Sequence, residues 1–302
     1  MPSPEIDSRR PFGRVLSAMV TPFTPDGSLD LGGAADLAAH LVDEGGNDGL
    51  VLSGTTGESP TTSDAEKEQL LRAVVEAVGD RATVLAGVGT NDTAHSVELA
   101  RAAEGAGAHG LLLVSPYYSR PPQSGLIEHV RTVADATELP VLLYDIPVRT
   151  GVAFETESLV RLAAHPRVAG VKDVKGDLAA SSWVMARTDL AFYCGDDMLN
   201  LPLVSIGAVG FVSVVGHVVG YRLREMLDAF EAGNVRSALD IHRSLLPVYT
   251  GIFRTQGAIM TKAALRLLGL PGGPMRLPLV DATEEQITLL RADLAAGAVK
   301  ID

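Results

Sequence analysis

Eight short apolar segments recur between Val15 and Val215, and amphipathic stretches separate them. The segments are near-continuous valine, leucine and alanine, which is typical of parallel strands buried on both faces. The intervening stretches repeat apolar residues at three- and four-residue steps, which predicts helices. Eight strand–helix units favour a closed (β/α)8 TIM barrel over an open doubly wound sheet. The predicted strands are Val15–Phe23, Gly49–Ser53, Thr83–Val88, Gly110–Ser115, Val141–Ile146, Val168–Lys172, Ala191–Cys194 and Gly210–Val215.

The last quarter of the chain has a different pattern. From Tyr221 onward only helical periodicity is visible, and Gly233-Asn234 indicates a break. We therefore expect a barrel over residues 1–233, with a short flexible leader, and a C-terminal α-helical domain over residues 234–302. The predicted helices are Ala65–Val78, Glu98–Ala108, Gly125–Ala136, Glu157–Ala164, Arg222–Ala232, Val235–Tyr249, Ala258–Leu268 and Glu284–Ala295.

Composition excludes several classes of partner. The net charge of −12 disfavours nucleic acid, because phosphate binding requires basic surface. No apolar segment reaches membrane-spanning length, and Met1–Arg10 lacks the apolar stretch of a signal peptide. With Cys194 as the single cysteine, no disulfide framework can form within the chain, which indicates a reducing compartment. These features predict a cytoplasmic protein.

The sequence contains no recognisable metal or cofactor motif. Its seven histidines lack the His-x-His and His-Glu-x-x-His spacings of metal sites. Asp196-Asp197 by itself makes a poor divalent site, so we interpret it as loop and capping chemistry. We interpret Cys194 and Trp183 as packing residues. We therefore expect no metal and no cofactor.

Lys172 ends the sixth predicted strand. A lysine at the end of a buried strand loses hydration, which disfavours its charged form and lowers its pKa. An uncharged amine can attack a carbonyl carbon and form a Schiff base. For this residue taken alone, a lysine salt-bridged at the end of a strand is the alternative interpretation.

Polar residues also follow other predicted strands, where a barrel of this kind forms its active site. The segment 53–59, which reads Ser-Gly-Thr-Thr-Gly-Glu-Ser, follows the second strand. Its glycines let backbone N–H groups approach an anion, and its hydroxyl groups donate hydrogen bonds. It lacks the Gly-Lys-Ser/Thr ending of a nucleotide-binding loop, so we assign it to a small carboxylate. An ordinary Gly/Thr turn is the alternative.

Tyrosines and an arginine follow the fourth and fifth strands. Tyr117 and Tyr118 come after the fourth strand, and Tyr144 and Arg149 lie at and after the end of the fifth. Tyrosine hydroxyls can relay protons, and an arginine can bind a carboxylate in bidentate fashion. Each alone has a simpler explanation, an aromatic packing pair or a surface salt bridge. Their recurrence at successive strand ends favours a shared site.

Several motifs at these strand ends resemble those of the dihydrodipicolinate synthase / N-acetylneuraminate lyase family. These motifs are Gly54-Thr55-Thr56-Gly57-Glu58, Tyr144-x-x-Pro147 and Gly170-Val171-Lys172. Others resemble the dihydrodipicolinate synthase branch in its actinobacterial form, namely Ser115-Pro116-Tyr117-Tyr118 with Arg120-Pro121, and Arg149-Thr150-Gly151. The resemblance covers nearly the whole chain. It implies a pyruvate-dependent class I aldolase on a (β/α)8 barrel.

The resemblance also implies a role for each pyruvate-binding residue. Lys172 would form the Schiff base with pyruvate, and Tyr144 would act as general acid and base beside it. Thr56 and neighbouring amide groups would hold the carboxylate of pyruvate. Gly195 and Val212 match positions that line the site near the imine.

The remaining implied roles concern the second substrate and the proton path. Thr55 would link Tyr144 to Tyr118 in a proton relay, and Tyr118 would come from the adjacent subunit. Arg149 would bind the carboxylate of aspartate semialdehyde. The implied reaction joins pyruvate to this aldehyde, as the committed step toward diaminopimelate and lysine, in a homotetramer built from dimers.

The sequence departs from the family pattern in two features, the residue after the strand-five tyrosine and the allosteric pocket. The first departure is Asp145, where the family often has asparagine after the strand-five tyrosine. An extra carboxylate there could raise the pKa of neighbouring groups, but aspartate also resembles the actinobacterial pattern, so we expect it to be tolerated. Lysine-inhibited members share an allosteric pocket with histidines and a glutamate at the dimer interface. The glutamate position here is His95, and the histidine positions are Asp64 and Lys67. We therefore predict weak or absent inhibition by lysine. The remaining residues at matching pocket positions are Ser59, Pro60, Asn91 and Tyr117.

Two other functions remain open from the sequence. A sugar-acid aldolase or lyase of the N-acetylneuraminate or 2-keto-3-deoxygluconate type shares the fold, but Arg149 argues against it because a neutral sugar aldehyde offers no carboxylate there. A non-catalytic keto-acid sensor is the second alternative. The intact set of Lys172, Tyr144, Thr55, Thr56 and Tyr118 argues against a sensor.

Overall fold

A computed structural model of the protein describes residues 9–301. Eight parallel strands close into a barrel in chain order, with β1 hydrogen-bonded to β8. Most of the predicted leader, Met1–Arg10, lies outside the described residues. The strands are β1 Val15–Ala18, β2 Gly49–Leu52, β3 Thr83–Gly87, β4 Gly110–Val114, β5 Val141–Asp145, β6 Val168–Asp173, β7 Ala191–Cys194 and β8 Gly210–Ser213.

Helices follow the strands and then continue alone to the C-terminus, so the predicted TIM barrel with a helical C-terminal region is confirmed. Short 3₁₀ helices also occupy Ser59–Thr61 and Asp197–Leu199. The α-helices are α1 Leu31–Asp43, α2 Asp64–Val78, α3 Thr93–Gly105, α4 Gln123–Ala134, α5 Pro147–Thr150, α6 Thr156–Leu162, α7 Leu178–Met185, α8 Asn200–Ser205, α9 Gly216–Glu231, α10 Val235–Ile252, α11 Gly257–Leu267 and α12 Glu284–Ala296.

Some predicted boundaries differ from the structure. β1 ends at Ala18, although Met19–Phe23 remains largely buried as a loop over the barrel. The buried, apolar residues of this loop resemble those of a strand, but only residues that form hydrogen bonds to a neighbouring strand belong to β1. α3 begins five residues before the predicted start, because the side chain of Asp92 accepts a hydrogen bond from the N–H of Ala94 and caps the helix.

Strand register determines which side chains face the barrel interior. Tyr144 on β5 pairs with Lys172 on β6, and Asp145 pairs with Asp173 one residue later. Successive side chains of a strand point to opposite faces. Asp173 bonds to Ser181 on the outer helix α7, so Asp145 and Asp173 face outward. Tyr144 and Lys172 therefore face the interior, at its carboxyl end.

The C-terminal helices pack against one another and against the barrel. α10 packs on α9 and α12, and α11 also contacts α9. The predicted division at residues 233 and 234 falls between the end of α9 and the start of α10. That domain division remains a prediction. No helix within residues 9–301 is both long and apolar enough to cross a membrane.

Trp183 on α7 was predicted to be a packing residue, and this prediction is wrong. Its side chain is 66 % exposed. α7 is nearly uniform in hydrophobicity around its circumference, so the sequence does not indicate which side faces the barrel.

Candidate active site

A cavity of about 690 Å³ opens at the carboxyl ends of the strands. Thr55, Tyr118, Tyr144 and Arg149 line it together, although they come from three separate segments of the chain, after β2, after β4 and at the end of β5. In a barrel of parallel strands all βα loops meet at this face, which places side chains distant in sequence around one volume.

Lys172 is not among the residues that line this cavity, but it lies next to Tyr144, which does line it. It is 4 % exposed, and its Nζ lies 4.2 Å from the centroid of the Tyr144 ring. Burial lowers the pKa of Lys172 to about 8, although the nearby carboxylate of Asp197 partly opposes that shift. The amine can therefore lose its proton within the physiological range, as a Schiff-base nucleophile requires.

Gly195 borders Lys172 directly. A Cβ atom at this position would lie 2.7 Å from Cε and 2.8 Å from Cγ of Lys172, closer than van der Waals contact allows. The absence of a side chain therefore leaves the space that the lysine stem occupies. Val212, also predicted near the imine, is fully buried on β8 and pairs with Leu16 of β1.

Tyr144 and Thr55 form the first link of the predicted proton path. The Thr55 side chain lowers the pKa of the Tyr144 phenol, but burial has the larger effect and raises it. Tyr144 is therefore neutral at physiological pH and able to donate or relay a proton. The structure brings Tyr144 both to Lys172 and to Thr55.

Tyr118 lies at the outer part of the cavity. Its side chain is 91 % exposed in the single chain, and its backbone has a φ of 70°. The left-handed region is unusual for a residue with a bulky side chain. The isolated chain thus presents this ring outward, and its predicted contact with Thr55 remains a prediction.

The loop after β2 contains the predicted carboxylate site. Thr56 is buried, and the carbonyl of the following Gly57 accepts a hydrogen bond from the Thr21 hydroxyl at 2.6 Å. Ser53 and Glu58, at the two sides of the loop, both have left-handed backbones, with φ of 53° and 54°. The loop is therefore a tightly turned segment fixed by tertiary contacts.

Arg149 is exposed on α5, the single helical turn after β5. Gly151, with a φ of 76°, ends this turn in the left-handed conformation that glycine adopts without strain. The guanidinium borders the same cavity as Tyr144. Its positive charge opposes the rise in the pKa of Tyr144 and adds to the lowering of the pKa of Lys172.

Asp145 does not face the cavity, which agrees with the expectation that an aspartate is tolerated at this position. It lies on the outer face of β5, within 3.5 Å of the Lys175 ammonium, and accepts a hydrogen bond from the N–H of Phe154. Burial raises the pKa of Asp145 to about 6, and the Lys175 charge opposes the shift. The alternation of side chains along β5 accounts for the difference, because Tyr144 takes the inward position.

Asp197 is a buried charged residue that sequence reasoning did not assign to the site. Its carboxylate accepts hydrogen bonds from Ser213 Oγ at 2.5 Å, from Asn200 Nδ2 at 3.0 Å, and from the N–H groups of Val214 and Val215 at 3.0 and 3.1 Å. Asp196, by contrast, caps the 3₁₀ helix, as predicted for this pair. The role of Asp197 had no sequence signal, because most of its partners follow β8.

The predicted allosteric positions line the outer part of the same cavity. There the His95 Nε2 lies 2.8 Å from an Asp64 carboxylate oxygen, and the Lys67 ammonium lies 3.9 Å from the other. A carboxylate is therefore present, but it already has two basic partners. Ser59, Asn91 and Tyr117 also line this region. Within residues 9–301, no group of three or more His, Cys, Asp or Glu side chains could hold a metal ion.

Comparisons with known proteins agree with this geometry. The chain is 66 % identical over 299 residues to 4-hydroxy-tetrahydrodipicolinate synthase 2 of Streptomyces coelicolor, covering 99 % of this chain and 100 % of the relative. It is 69 % identical to the 4-hydroxy-tetrahydrodipicolinate synthase of Acidothermus cellulolyticus, covering 95 % and 93 % of the two chains.

Solved structures give the same result. The dihydrodipicolinate synthase of Cyanidioschyzon merolae, crystallised with lysine bound, superposes with a TM-score of 0.93 at 40 % identity, covering 96 % of this chain and 99 % of that one. A dihydrodipicolinate synthase of Bacillus anthracis superposes with a TM-score of 0.92 at 38 % identity, with the same coverage. The model of the dihydrodipicolinate synthetase family matches residues 11–297. The chain belongs to the dihydrodipicolinate synthetase family.

Proposed function

We propose that the protein is an enzyme that condenses pyruvate with L-aspartate 4-semialdehyde, the 4-hydroxy-tetrahydrodipicolinate synthase reaction. This lyase reaction is the committed step of diaminopimelate and lysine biosynthesis. The observation that most supports it is the buried amine of Lys172, with a pKa of about 8, beside the neutral phenol of Tyr144. The curated relatives with this activity match nearly the full chain.

The first half of the reaction forms a nucleophile from pyruvate. The neutral amine of Lys172 attacks C2 of pyruvate, the C2 oxygen leaves as water, and a C=N bond forms. Loss of a proton from the C3 methyl group then gives an enamine. Tyr144, whose ring lies beside the Lys172 amine, is placed to deliver and accept these protons. Thr56 and adjacent amide groups hold the pyruvate carboxylate.

The second half joins the two substrates. C3 of the enamine attacks the aldehyde carbon, and the aldehyde oxygen takes up a proton. Attack of the substrate's amino group on the imine carbon then closes a ring and returns Lys172 as the free amine. Arg149 binds the carboxylate of the aldehyde, and this favours an acidic aldehyde over a neutral sugar. Gly195 and Val212 shape the space around the imine.

The site is proposed to be complete only in an oligomer. Tyr118, which a single chain exposes almost fully, would enter the site of an adjacent subunit and extend the Tyr144–Thr55 relay. We propose a homotetramer built from such dimers, working in the cytoplasm without a cofactor.

The test is a condensation assay with pyruvate and aspartate semialdehyde, coupled to the NADPH-dependent reductase that consumes the product. Lys172→Ala should lower turnover by on the order of 10⁴-fold or more, because no other group supplies the nucleophile. Borohydride should trap pyruvate on the wild type and not on this variant.

A folded wild-type protein that traps pyruvate but does not turn over aspartate semialdehyde would contradict the proposed substrate. The search would then move to sugar-derived aldehydes. Failure to trap pyruvate would contradict the Schiff-base chemistry itself.

A further inference from the structure

Glu58 ends the Gly-Thr-Thr-Gly-Glu motif but has no part in the chemistry described above. Its backbone is left-handed, with a φ of 54°, a conformation that a residue with a Cβ atom rarely adopts without support. Its side chain is only 1 % exposed. A buried carboxylate in an unfavourable backbone conformation, two residues after Thr56, indicates that tertiary contacts maintain it.

One of those contacts comes from α11, about 200 residues later in the chain. The Lys262 ammonium, also 1 % exposed, lies 2.6 Å from Glu58 Oε1. It also donates a hydrogen bond to the Pro274 carbonyl at 2.8 Å and lies 4.3 Å from the centroid of the Phe23 ring. Burial lowers the pKa of Lys262, and the Glu58 carboxylate opposes this shift, so the ion pair offsets part of the cost of desolvation.

The second carboxylate oxygen of Glu58 has a different partner. Its Oε2 accepts a hydrogen bond from the backbone N–H of Arg276 at 2.9 Å. The guanidinium of Arg276 bonds to the carbonyls of Gly27 and Thr61 and pairs with Glu66 at 2.6 Å. Each oxygen of the motif carboxylate is thus held by a residue that follows the barrel.

Stability alone is a weak reason for this arrangement. A fully buried ion pair loses much of its attraction to desolvation, and apolar residues of similar volume often stabilise a fold equally well. The pair does, however, fix the position of the Glu58 side chain, because it joins the end of a tightly turned loop to helix α11. The loop is the one in which Thr55 lines the cavity together with Tyr144, and Thr56 is the proposed ligand of the keto-acid carboxylate.

We propose that the C-terminal helical segment is part of the substrate-binding machinery, through Lys262 and the backbone of Arg276. They hold Glu58 in its left-handed conformation, and this sets Thr55 and Thr56 for the carboxylate of the keto acid. Glu58 and Lys262 are positioning residues, since neither is placed against the reacting atoms. The inference rests on the proposed function, because it assumes that the loop binds a keto acid.

The test uses three variants of the full-length protein. Glu58→Gln removes the charge and keeps an oxygen for the Arg276 N–H, Lys262→Met keeps the length of the stem, and the third variant combines both changes. The pyruvate concentration that gives half-maximal trapping by borohydride reports on pyruvate binding and Schiff-base formation in the absence of the aldehyde. We expect each single variant to raise that value, and KM for pyruvate, by about tenfold or more. KM for the aldehyde should change less than about threefold.

The double variant separates positioning from loss of folding. Removing both charges leaves no unpaired buried ion, so this protein should fold even where a single variant does not. Its pyruvate half-saturation should still be raised, but by less than the product of the single effects, because the residues act as a unit.

Arg254→Met is the matched control, since it breaks an ion pair with Asp293 between C-terminal segments. It should lower Tm without changing pyruvate half-saturation.

Pyruvate half-saturation within twofold of wild type in the folded double variant would overturn the inference and leave the pair a structural contact. A fall in Tm with unchanged pyruvate binding in both single variants would do the same. Failure of the wild type to trap pyruvate at all would overturn the proposed function, and the inference with it, before any variant is compared.

Discussion

Lys172 is under two opposing influences. Burial disfavours its ammonium form, whereas the carboxylate of Asp197, fixed by four hydrogen bonds, favours it. The balance places its pKa at about 8, well below the 10.5 of a solvated lysine. Burial away from water therefore favours the neutral, nucleophilic amine of Lys172, and the nearby carboxylate stabilises its charged forms.

The pKa of Lys172 predicts the acid limb of the pH profile. Only the neutral amine attacks, so kcat/KM for pyruvate should rise with pH, and the midpoint of this rise should lie at about pH 8. Ionised Asp197 favours the ammonium form, so Asp197→Asn should lower the pKa of Lys172 and move the midpoint to lower pH. Steady-state kinetics across pH checks both expectations.

Asp196→Asn is the matched control for that measurement, because Asp196 caps the neighbouring 3₁₀ helix and should leave the midpoint in place. An unchanged or higher midpoint in Asp197→Asn would contradict the proposed electrostatic role of Asp197.

Gly195 gives a second prediction at the residue scale. In Gly195→Ala the new Cβ would lie 2.7 Å from Cε of Lys172, so the lysine must move. We expect kcat/KM for pyruvate to fall by about 10²-fold, the effect of misplacing a reacting group by roughly 1 Å. Gly105→Ala is the control, since a Cβ there meets no atom within 4 Å. Equal activity in the two variants would contradict the steric role of Gly195.

At the scale of elements, strand register assembles the reacting pair. Pairing of β5 with β6 sets Tyr144 beside Lys172, and alternation sends Asp145 and Asp173 to the outer face of the barrel. The alternation was predictable from the sequence, because Tyr144 and Asp145 are adjacent in the chain, as are Lys172 and Asp173. The depth of the cavity and the exact partners of Asp145 were not, since Lys175 and Phe154 come from separate loops.

The short helix α5 places Arg149 at the cavity and so sets the expected substrate preference. Arg149→Ala should raise KM for aspartate semialdehyde by about 10- to 100-fold, because a charge-assisted contact to the carboxylate is lost. Trapping of pyruvate should stay near the wild-type level. The measurement is steady-state kinetics with each substrate varied in turn.

Arg187→Ala is a suitable control for Arg149→Ala, since Arg187 forms an exposed pair with Glu157 instead. If Arg149→Ala lost little activity with aspartate semialdehyde, an acidic aldehyde would no longer be favoured and a sugar-derived one would be.

For the molecule as a whole, one cavity joins the proposed catalytic residues to the outer positions that match the allosteric pocket. In the outer part, Asp64 is already paired with His95, and Lys67 adds a positive charge. Free lysine would meet a neutralised carboxylate and a like charge. The solved structure with lysine bound is that of a relative at 40 % identity, and at this identity the residues of the pocket can differ between the two chains.

We therefore expect millimolar lysine to inhibit the condensation weakly or not at all. A lysine titration under the coupled assay checks this, with the reductase assayed separately. His95→Glu restores an unpaired carboxylate at the position where lysine-sensitive relatives have one, and it should increase sensitivity. Strong inhibition of the wild type would contradict the prediction.

Local sequence by itself determined the eight strands, most of the helices, and the set of polar residues at the strand ends. Strand burial, helical periodicity and loop chemistry are properties of neighbouring residues, so a short window contains them. The motifs at Thr55, Tyr144 and Lys172 also lie within such windows. The family, the fold and the proposed chemistry therefore follow from short stretches of the sequence.

Only the tertiary structure decided the contacts between distant segments. Closure of the barrel brings Asp197 to the end of β8, and the C-terminal helices bring Lys262 to Glu58. It also exposes Trp183 and brings Lys175 to Asp145. These contacts depend on where whole elements pack, and packing is set by the shape of the entire core, which no local pattern of residues records.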